Sequence, residues 1–220
     1  MNLNKYIDHT LLKADAKKSE IEKICAEAKE FDFATVCINP GQITFAKSLL
    51  EGTNVGITTV VGFPLGATTS EVKAFETKQA IENGATEIDM VINIGAVKDA
   101  NWDLVLNDMK AVKSSAPNNC VKVILENCLL TKEEITKCCE LALEAKLEFV
   151  KTSTGFSTGG ATFEDVALMK SIVKDNAKVK AAGGVRTYDD AIKMIENGAD
   201  RLGTSGGVAI VKGEEHKNGY

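Results

Sequence analysis

The chain has 220 residues, 44% of them apolar, enough for one large domain with a real core. Its net charge of -5 is interrupted by no basic cluster, which argues against a nucleic-acid or membrane-surface partner held by charge. No apolar run approaches the roughly 20 residues of a membrane span, and the opening MNLNKYIDHT lacks the apolar core of a signal peptide, so a cytoplasmic protein is expected.

Strand-like and helix-like patterns alternate along the chain. After Tyr6 to Leu12 (YIDHTLL) a helix is predicted from Ser19, as N-cap, to Glu30, with Ile21, Ile24, Cys25 and Ala28 on one face. Phe33 to Ile38 reads as a strand stopped by Asn39, Pro40 and Gly41, and Val55 to Gly62 as the next, stopped by Pro64 and Gly66. The helix Ser70 to Asn83 carries Val72, Phe75, Gln79 and Ile81 on a charged surface and ends at Gly84, a C-terminal cap. Strand Glu87 to Asn93 follows, then a helix opened by Trp102 with Val105, Met109 and Val112 at core spacing. Val121 to Glu126 is a strand, and Thr131 to Lys146 a helix with a capping-box pattern at Thr131 and Glu134. Strand Glu148 to Ser153, helix Thr162 to Asn176, strand Lys178 to Ala182, helix Thr187 to Asn197 and strand Arg201 to Ser205 complete the series.

An internal echo supports a repeating unit, since AIENGATEID at Ala80 to Asp89 and MIENGADRLG at Met194 to Gly203 share a helix end, a glycine and a strand start. Eight βα units imply a parallel sheet closed into a single (β/α)8 TIM barrel over residues 1–220. A doubly wound open sheet is the alternative, weakened because no GxGxxG follows the first strand.

The stretch FVKTSTGFSTGGAT, Phe149 to Thr162, ends a strand on Lys151 and continues into small hydroxylated residues and glycines. Catalytic groups of parallel barrels sit at such carboxyl ends, although a lysine can also snorkel from a strand end into solvent. Strand parity places Phe149, Lys151 and Ser153 inward, together with Glu87, Asp89 and Val91, with Lys122, Ile124 and Glu126, with Lys178, Lys180 and Ala182, and with Cys37 and Asn39. The predicted lumen is therefore charged where branched apolar residues are usual. One reading is a structural ion-pair network, the other a catalytic centre.

Two lysines close together favour chemistry. An ordinary lysine has a pKa near 10.4, and a neighbouring ammonium plus desolvation, supplying about three units or roughly 4 kcal/mol, would free half of the amine at neutral pH. That is how a lysine is activated for Schiff-base formation, with Lys151 as nucleophile, Lys180 beside it and Asp89 moving protons through a bound water. The six cysteines at 25, 37, 120, 128, 138 and 139 form no CxxC pair, and His9 and His216 stand apart, which argues against a zinc site or a disulfide framework.

KTSTGF at Lys151, KAAGGVRT at Lys180, EIDMVINIGA around Asp89, IDHTLL at Ile7 and RLGTSGG at Arg201 resemble the 2-deoxyribose-5-phosphate aldolase family in order and over nearly the whole chain. The resemblance implies an imine between Lys151 and the donor aldehyde, with Lys180 and Asp89 serving the proton transfers. It also implies reversible cleavage of 2-deoxy-D-ribose 5-phosphate to acetaldehyde and D-glyceraldehyde 3-phosphate, with no metal or cofactor because the iminium nitrogen is the electron sink. A homodimer is its further implication. Substrate phosphate is expected over Gly183 and Gly184 after the seventh strand and over Gly203, Thr204 and Ser205 after the eighth, with Arg186 as an added charge or a solvated helix-start residue.

The chain departs from the family pattern in three places. GTSGG replaces the commoner GTSSG, so Gly206 removes a hydroxyl from the phosphate loop; Asn127 stands where threonine is more usual; and the polar ending EEHKNGY closes on Tyr220, which in relatives can reach the site and assist proton transfer but here reads equally as the end of a disordered tail. A transaldolase-like or ketose-phosphate aldolase would share the lysine logic without the paired KTSTG and KAAGG motifs. A barrel that only binds sugar phosphates remains the non-enzymatic alternative.

Overall fold

Eight short parallel strands close on themselves in sequence order, β1 (Ile7–Leu11), β2 (Thr35–Ile38), β3 (Gly56–Val61), β4 (Glu87–Val91), β5 (Cys120–Ile124), β6 (Phe149–Lys151), β7 (Lys178–Ala182) and β8 (Arg201–Thr204), with β8 pairing back onto β1. This computed structural model describes residues 1–216. Around the barrel run α1 (Lys18–Glu30), α2 (Ile43–Leu50), α3 (Ser70–Asn83), α4 (Ile94–Lys98), α5 (Trp102–Ser115), α6 (Lys132–Glu144), α7 (Phe163–Val173), α8 (Tyr188–Glu196) and α9 (Gly207–Lys212). It is the (β/α)8 TIM barrel that the repeating pattern predicts.

Local chemistry starts these helices beyond the carboxyl ends of the strands. The side chains of Thr69, Asn93, Thr162 and Thr187 each accept from a backbone N–H one turn in, and Thr131 with Glu134 forms the expected capping box. Each cap stabilises by about 1 kcal/mol and fixes where a βα loop ends. The internal echo also has a common geometry, because Gly84 (φ 117°) and Gly198 (φ 104°) both end their helices in the left-handed region that glycine adopts without a Cβ clash.

Outward strand residues such as Val36, Ile88, Met90, Val123, Val150 and Val179 are fully buried and pack in one continuous core against Ile21, Cys25, Met109, Val112 and Cys139 of the helices. Burying each such side chain is worth about 1.5–3 kcal/mol, so the barrel is held from outside its lumen. The lumen is left free for polar residues.

Four sequence expectations change. The N-cap of α1 is Lys17 rather than Ser19, and the Lys17 N–H donates to Glu20 Oε2 at 2.8 Å. Helix α2, begun after Pro40 and Gly41 and burying Ile43, Ala46 and Leu50, was not foreseen, nor were the short α4 and α9. On α3 the buried face is Lys73, Thr77 and Ala80, while Val72 and Phe75 are 51% and 66% exposed. The reason is electrostatic: Lys73 Nζ lies 2.5 Å from Asp108 Oδ2 on α5 and donates to the Val91 carbonyl at 2.8 Å, so a hydrogen-bonded lysine takes the place of an apolar contact. Finally, each strand ends one or two residues short of its predicted limit or begins later, except Lys178–Ala182.

Candidate functional site

Strand register brings Lys151 opposite Lys180 and Asp89 opposite Lys122. Asp89 stands at the centre. Its Oδ2 accepts from Lys151 Nζ at 2.9 Å and from Lys180 Nζ at 2.7 Å, and its Oδ1 accepts from Lys122 Nζ at 2.9 Å. Lys180 has a second carboxylate, Asp8 Oδ2 at 2.5 Å, and Lys122 has Glu87 as its second. Arg201 reaches Asp8 Oδ1 at 2.6 Å and Glu87 Oε2 at 3.3 Å. Thr35 Oγ1 donates to Asp8 Oδ1 at 2.8 Å, continuing the polar ring. Below it the Phe149 ring forms an apolar floor touched by the cations of Lys122, Lys178 and Arg201 at 5.5 to 5.7 Å.

Charge balance distinguishes the lysines. Among the described residues the network contains four cations, Lys122, Lys151, Lys180 and Arg201, and three carboxylates, Asp8, Glu87 and Asp89. Lys151 is the cation with a single carboxylate partner, so its deprotonation neutralises the set at least cost. Burial, opposed by Asp89 and reinforced by the Lys180 ammonium, holds the Lys151 pKa below the ordinary lysine value. Burial also opposes the charge of Lys180, but Asp8 and Asp89 outweigh it and hold that pKa well above the ordinary value. Asp89 resists burial because Lys122, Lys151 and Lys180 keep its carboxyl well below the usual range. The site thus offers one available amine beside a fixed ammonium and a fixed carboxylate.

Glu126, expected to share the lumen with the lysines, does not join them. It lies past the end of β5 in a left-handed turn (φ 59°), and its carboxylate accepts from the Thr154 N–H at 3.1 Å and from the Thr154 hydroxyl. It thereby fixes the loop after Lys151. Cys37 does face the lumen side with Leu12 and Val60, where Phe63 packs against them; burial pushes its thiol up, away from thiolate reactivity. Phe63 in turn meets Phe156 edge to face at 5.3 Å.

Gly183, Gly184, Arg186, Gly203, Thr204 and Ser205 converge on a single cavity of about 360 Å³, closed on the other side by the glycines of the loop after β6. No carboxylate is among the described residues that line it, and Arg186 and His216 carry its titratable side chains. Thr204 Oγ1 donates to the Val185 carbonyl at 3.0 Å and accepts from the Gly206 N–H at 3.0 Å, so the two loops are tied together.

Sequence reasoning missed Asp8, Arg201 and His216. Asp8 was detectable, since a carboxylate alternates with Ile7 and His9 in a strand whose inner face the pattern could have assigned. Neither histidine stands alone: His9 Nε2 lies 2.7 Å from Glu27 Oε2, and His216 Nε2 lies 3.1 Å from Ser205 Oγ. Tyr220 lies outside the described residues.

A parallel barrel with a desolvated amine at the end of one strand and a carboxylate-held ammonium on the next defines an enzyme equipped for amine-carbonyl chemistry. Residues 3–213 match the family described as DeoC/LacD family aldolase, and the chain belongs to that family. It is 72% identical over 220 residues to deoxyribose-phosphate aldolase 1 of Mesoplasma florum, covering all of both chains, and 64% identical to the deoxyribose-phosphate aldolase of Mycoplasma capricolum, covering 100% of this chain and 99% of that one. Among solved structures it is similar to the deoxyribose phosphate aldolase of Aeropyrum pernix, described as tetrameric, with TM-score 0.89, 32% identity and coverage of 96% of this chain and 89% of that one.

Proposed function

We propose that this aldolase reversibly cleaves 2-deoxy-D-ribose 5-phosphate to acetaldehyde and D-glyceraldehyde 3-phosphate through an imine on Lys151. The observation that carries the reading is the unequal pairing of the lumen lysines, one carboxylate for Lys151 and two each for Lys122 and Lys180. The neutral Lys151 amine attacks C1 of the open-chain sugar, and loss of water gives the iminium. Proton removal from the C3 hydroxyl lets the C2–C3 bonding pair move into the iminium, forming an enamine and releasing glyceraldehyde 3-phosphate. Protonation at C2 and hydrolysis release acetaldehyde and return the amine. Asp89 and Lys180 serve these proton transfers as a hydrogen-bonded pair, because Asp89 Oδ2 is shared by both amines. The cavity of Gly183, Gly184, Arg186, Gly203, Thr204 and Ser205 takes the 5-phosphate, supported by its lack of lining carboxylates.

The reading is tested by incubating the protein with 2-deoxyribose 5-phosphate and assaying both products, then running synthesis with acetaldehyde or dihydroxyacetone as donor. Equimolar products and a preference for acetaldehyde are expected. Turnover confined to dihydroxyacetone would contradict the substrate assignment.

Lys180→Leu tests the activation. Since the Lys180 charge lowers the Lys151 pKa, its removal lifts that value, reduces the free amine at neutral pH and moves the rising limb of the kcat/KM profile of any residual activity to higher pH. An unshifted limb would remove Lys180 from the activation.

The proposal extends to assembly and location. Val72 and Phe75 on α3 and Leu65 before it are 51%, 66% and 72% exposed, an apolar group that a second copy in a homodimer would cover. Light scattering is expected to show a dimer that Val72→Glu with Phe75→Glu converts to monomer; a monomeric parent would contradict this. Among the described residues no helix is long and apolar enough to cross a membrane, and the proposed location is the cytoplasm.

A further inference from the structure

The chain lacks a side chain at position 206, and the structure fills that space from a different part of the molecule. A Cβ built on Gly206 would lie 2.5 Å from the Cβ and 2.6 Å from the Cγ of His216, so any side chain at 206 excludes His216 from its position. Two further contacts hold the histidine there. Its backbone N–H donates to the Arg186 carbonyl at 3.0 Å, and its Nε2 lies 3.1 Å from Ser205 Oγ. The segment after α9 is thereby fastened across the loops that follow β7 and β8, and the imidazole joins the lining of the carboxylate-free cavity.

From this placement we infer that His216 is a ligand of the substrate phosphate, supplying from the C-terminal segment the hydrogen-bond donor that position 206 lacks. The inference rests on reading that cavity as the phosphate site. An imidazole N–H serves this role better than a hydroxyl would. Its position is set by the backbone contact to Arg186 and by Ser205, so a ring N–H points in one direction where a hydroxyl would rotate. Ser205 and His216 share one hydrogen bond, and an anionic oxygen seated between them and Arg186 replaces it, accepting from the Ser205 hydroxyl, the His216 N–H and the guanidinium. The arrangement is also self-consistent: a bare 206 makes room, the Arg186 carbonyl anchors the segment, and Ser205 orients the ring.

The test is the ratio of kcat/KM for 2-deoxyribose 5-phosphate to kcat/KM for unphosphorylated 2-deoxyribose, measured in the full chain. His216→Ala is expected to lower this ratio about tenfold, the loss of one charge-assisted hydrogen bond. Gly206→Ser should displace the ring and make the effect of His216→Ala much smaller in the double variant than in the parent, since the two changes act on one interaction. Circular dichroism and thermal unfolding check that each variant is folded. A parent ratio near one would overturn the reading of the cavity itself, and this inference with it. A high parent ratio that Ser205→Ala lowers but His216→Ala leaves within twofold overturns the inference alone, as would full additivity of the His216 and Gly206 changes.

Discussion

Lys151→Ala is expected to reduce kcat for 2-deoxyribose 5-phosphate by at least ~10⁴-fold, as removal of a covalent nucleophile does. No neighbouring amine can substitute. Lys122 and Lys180 each hold two carboxylates, and for both the paired charges outweigh burial and raise the pKa. The variant should nevertheless fold, because Asp89 keeps Lys122 and Lys180 as partners and no buried charge is orphaned. Circular dichroism alongside the rate measurement separates the two effects. Turnover within tenfold of the parent in a folded variant would remove Lys151 from the mechanism.

Asp89→Asn should cost both stability and rate. The carboxylate is fully buried and, among the described residues, is the one group bonded to three lysines, so its neutralisation leaves one more uncompensated cation in the lumen. Breaking buried pairing of this kind costs about 3–5 kcal/mol, read as a lower urea midpoint at unchanged slope. The pH dependence has a definite sign. The folded-state pKa of Asp89 lies well below its ordinary value, so its contribution is complete above the ordinary carboxylate range and is lost as pH falls through that range toward the folded value. The parent should therefore lose stability below about pH 4 more steeply than the variant. A variant as stable as the parent at neutral pH would show that the lumen charges are independent rather than a network around Asp89.

Most of the lumen was legible because strand parity is rigid. Once Val150, Ile88, Val123 and Val179 face the helices, Lys151, Asp89, Lys122 and Lys180 have nowhere to point but inward, and the register of adjacent strands brings them within hydrogen-bonding distance. Parity fails where strands end. Glu126 follows β5 by two residues, and its left-handed backbone turns it to Thr154, a loop geometry that no alternation records. Helical spacing misled at α3, where Val72 and Phe75 have the separation of a core face but Lys73 is preferred inside because Asp108 and the Val91 carbonyl satisfy it. Arg201 begins β8 and joins the network through the length of its side chain, and His216 arrives from beyond α9, eleven residues after the serine it faces. Such contacts depend on tertiary placement. Local pattern carries no signal for them.

The central claim is that one amine in the lumen is nucleophilic, and trapping tests it directly. The protein is treated with acetaldehyde and borohydride, digested, and searched by mass spectrometry for an ethyl group on lysine. The account predicts a single dominant label on Lys151, with Lys122 and Lys180 unlabelled because their paired carboxylates keep them protonated. Labelling spread over surface lysines, or concentrated on Lys180, would contradict it.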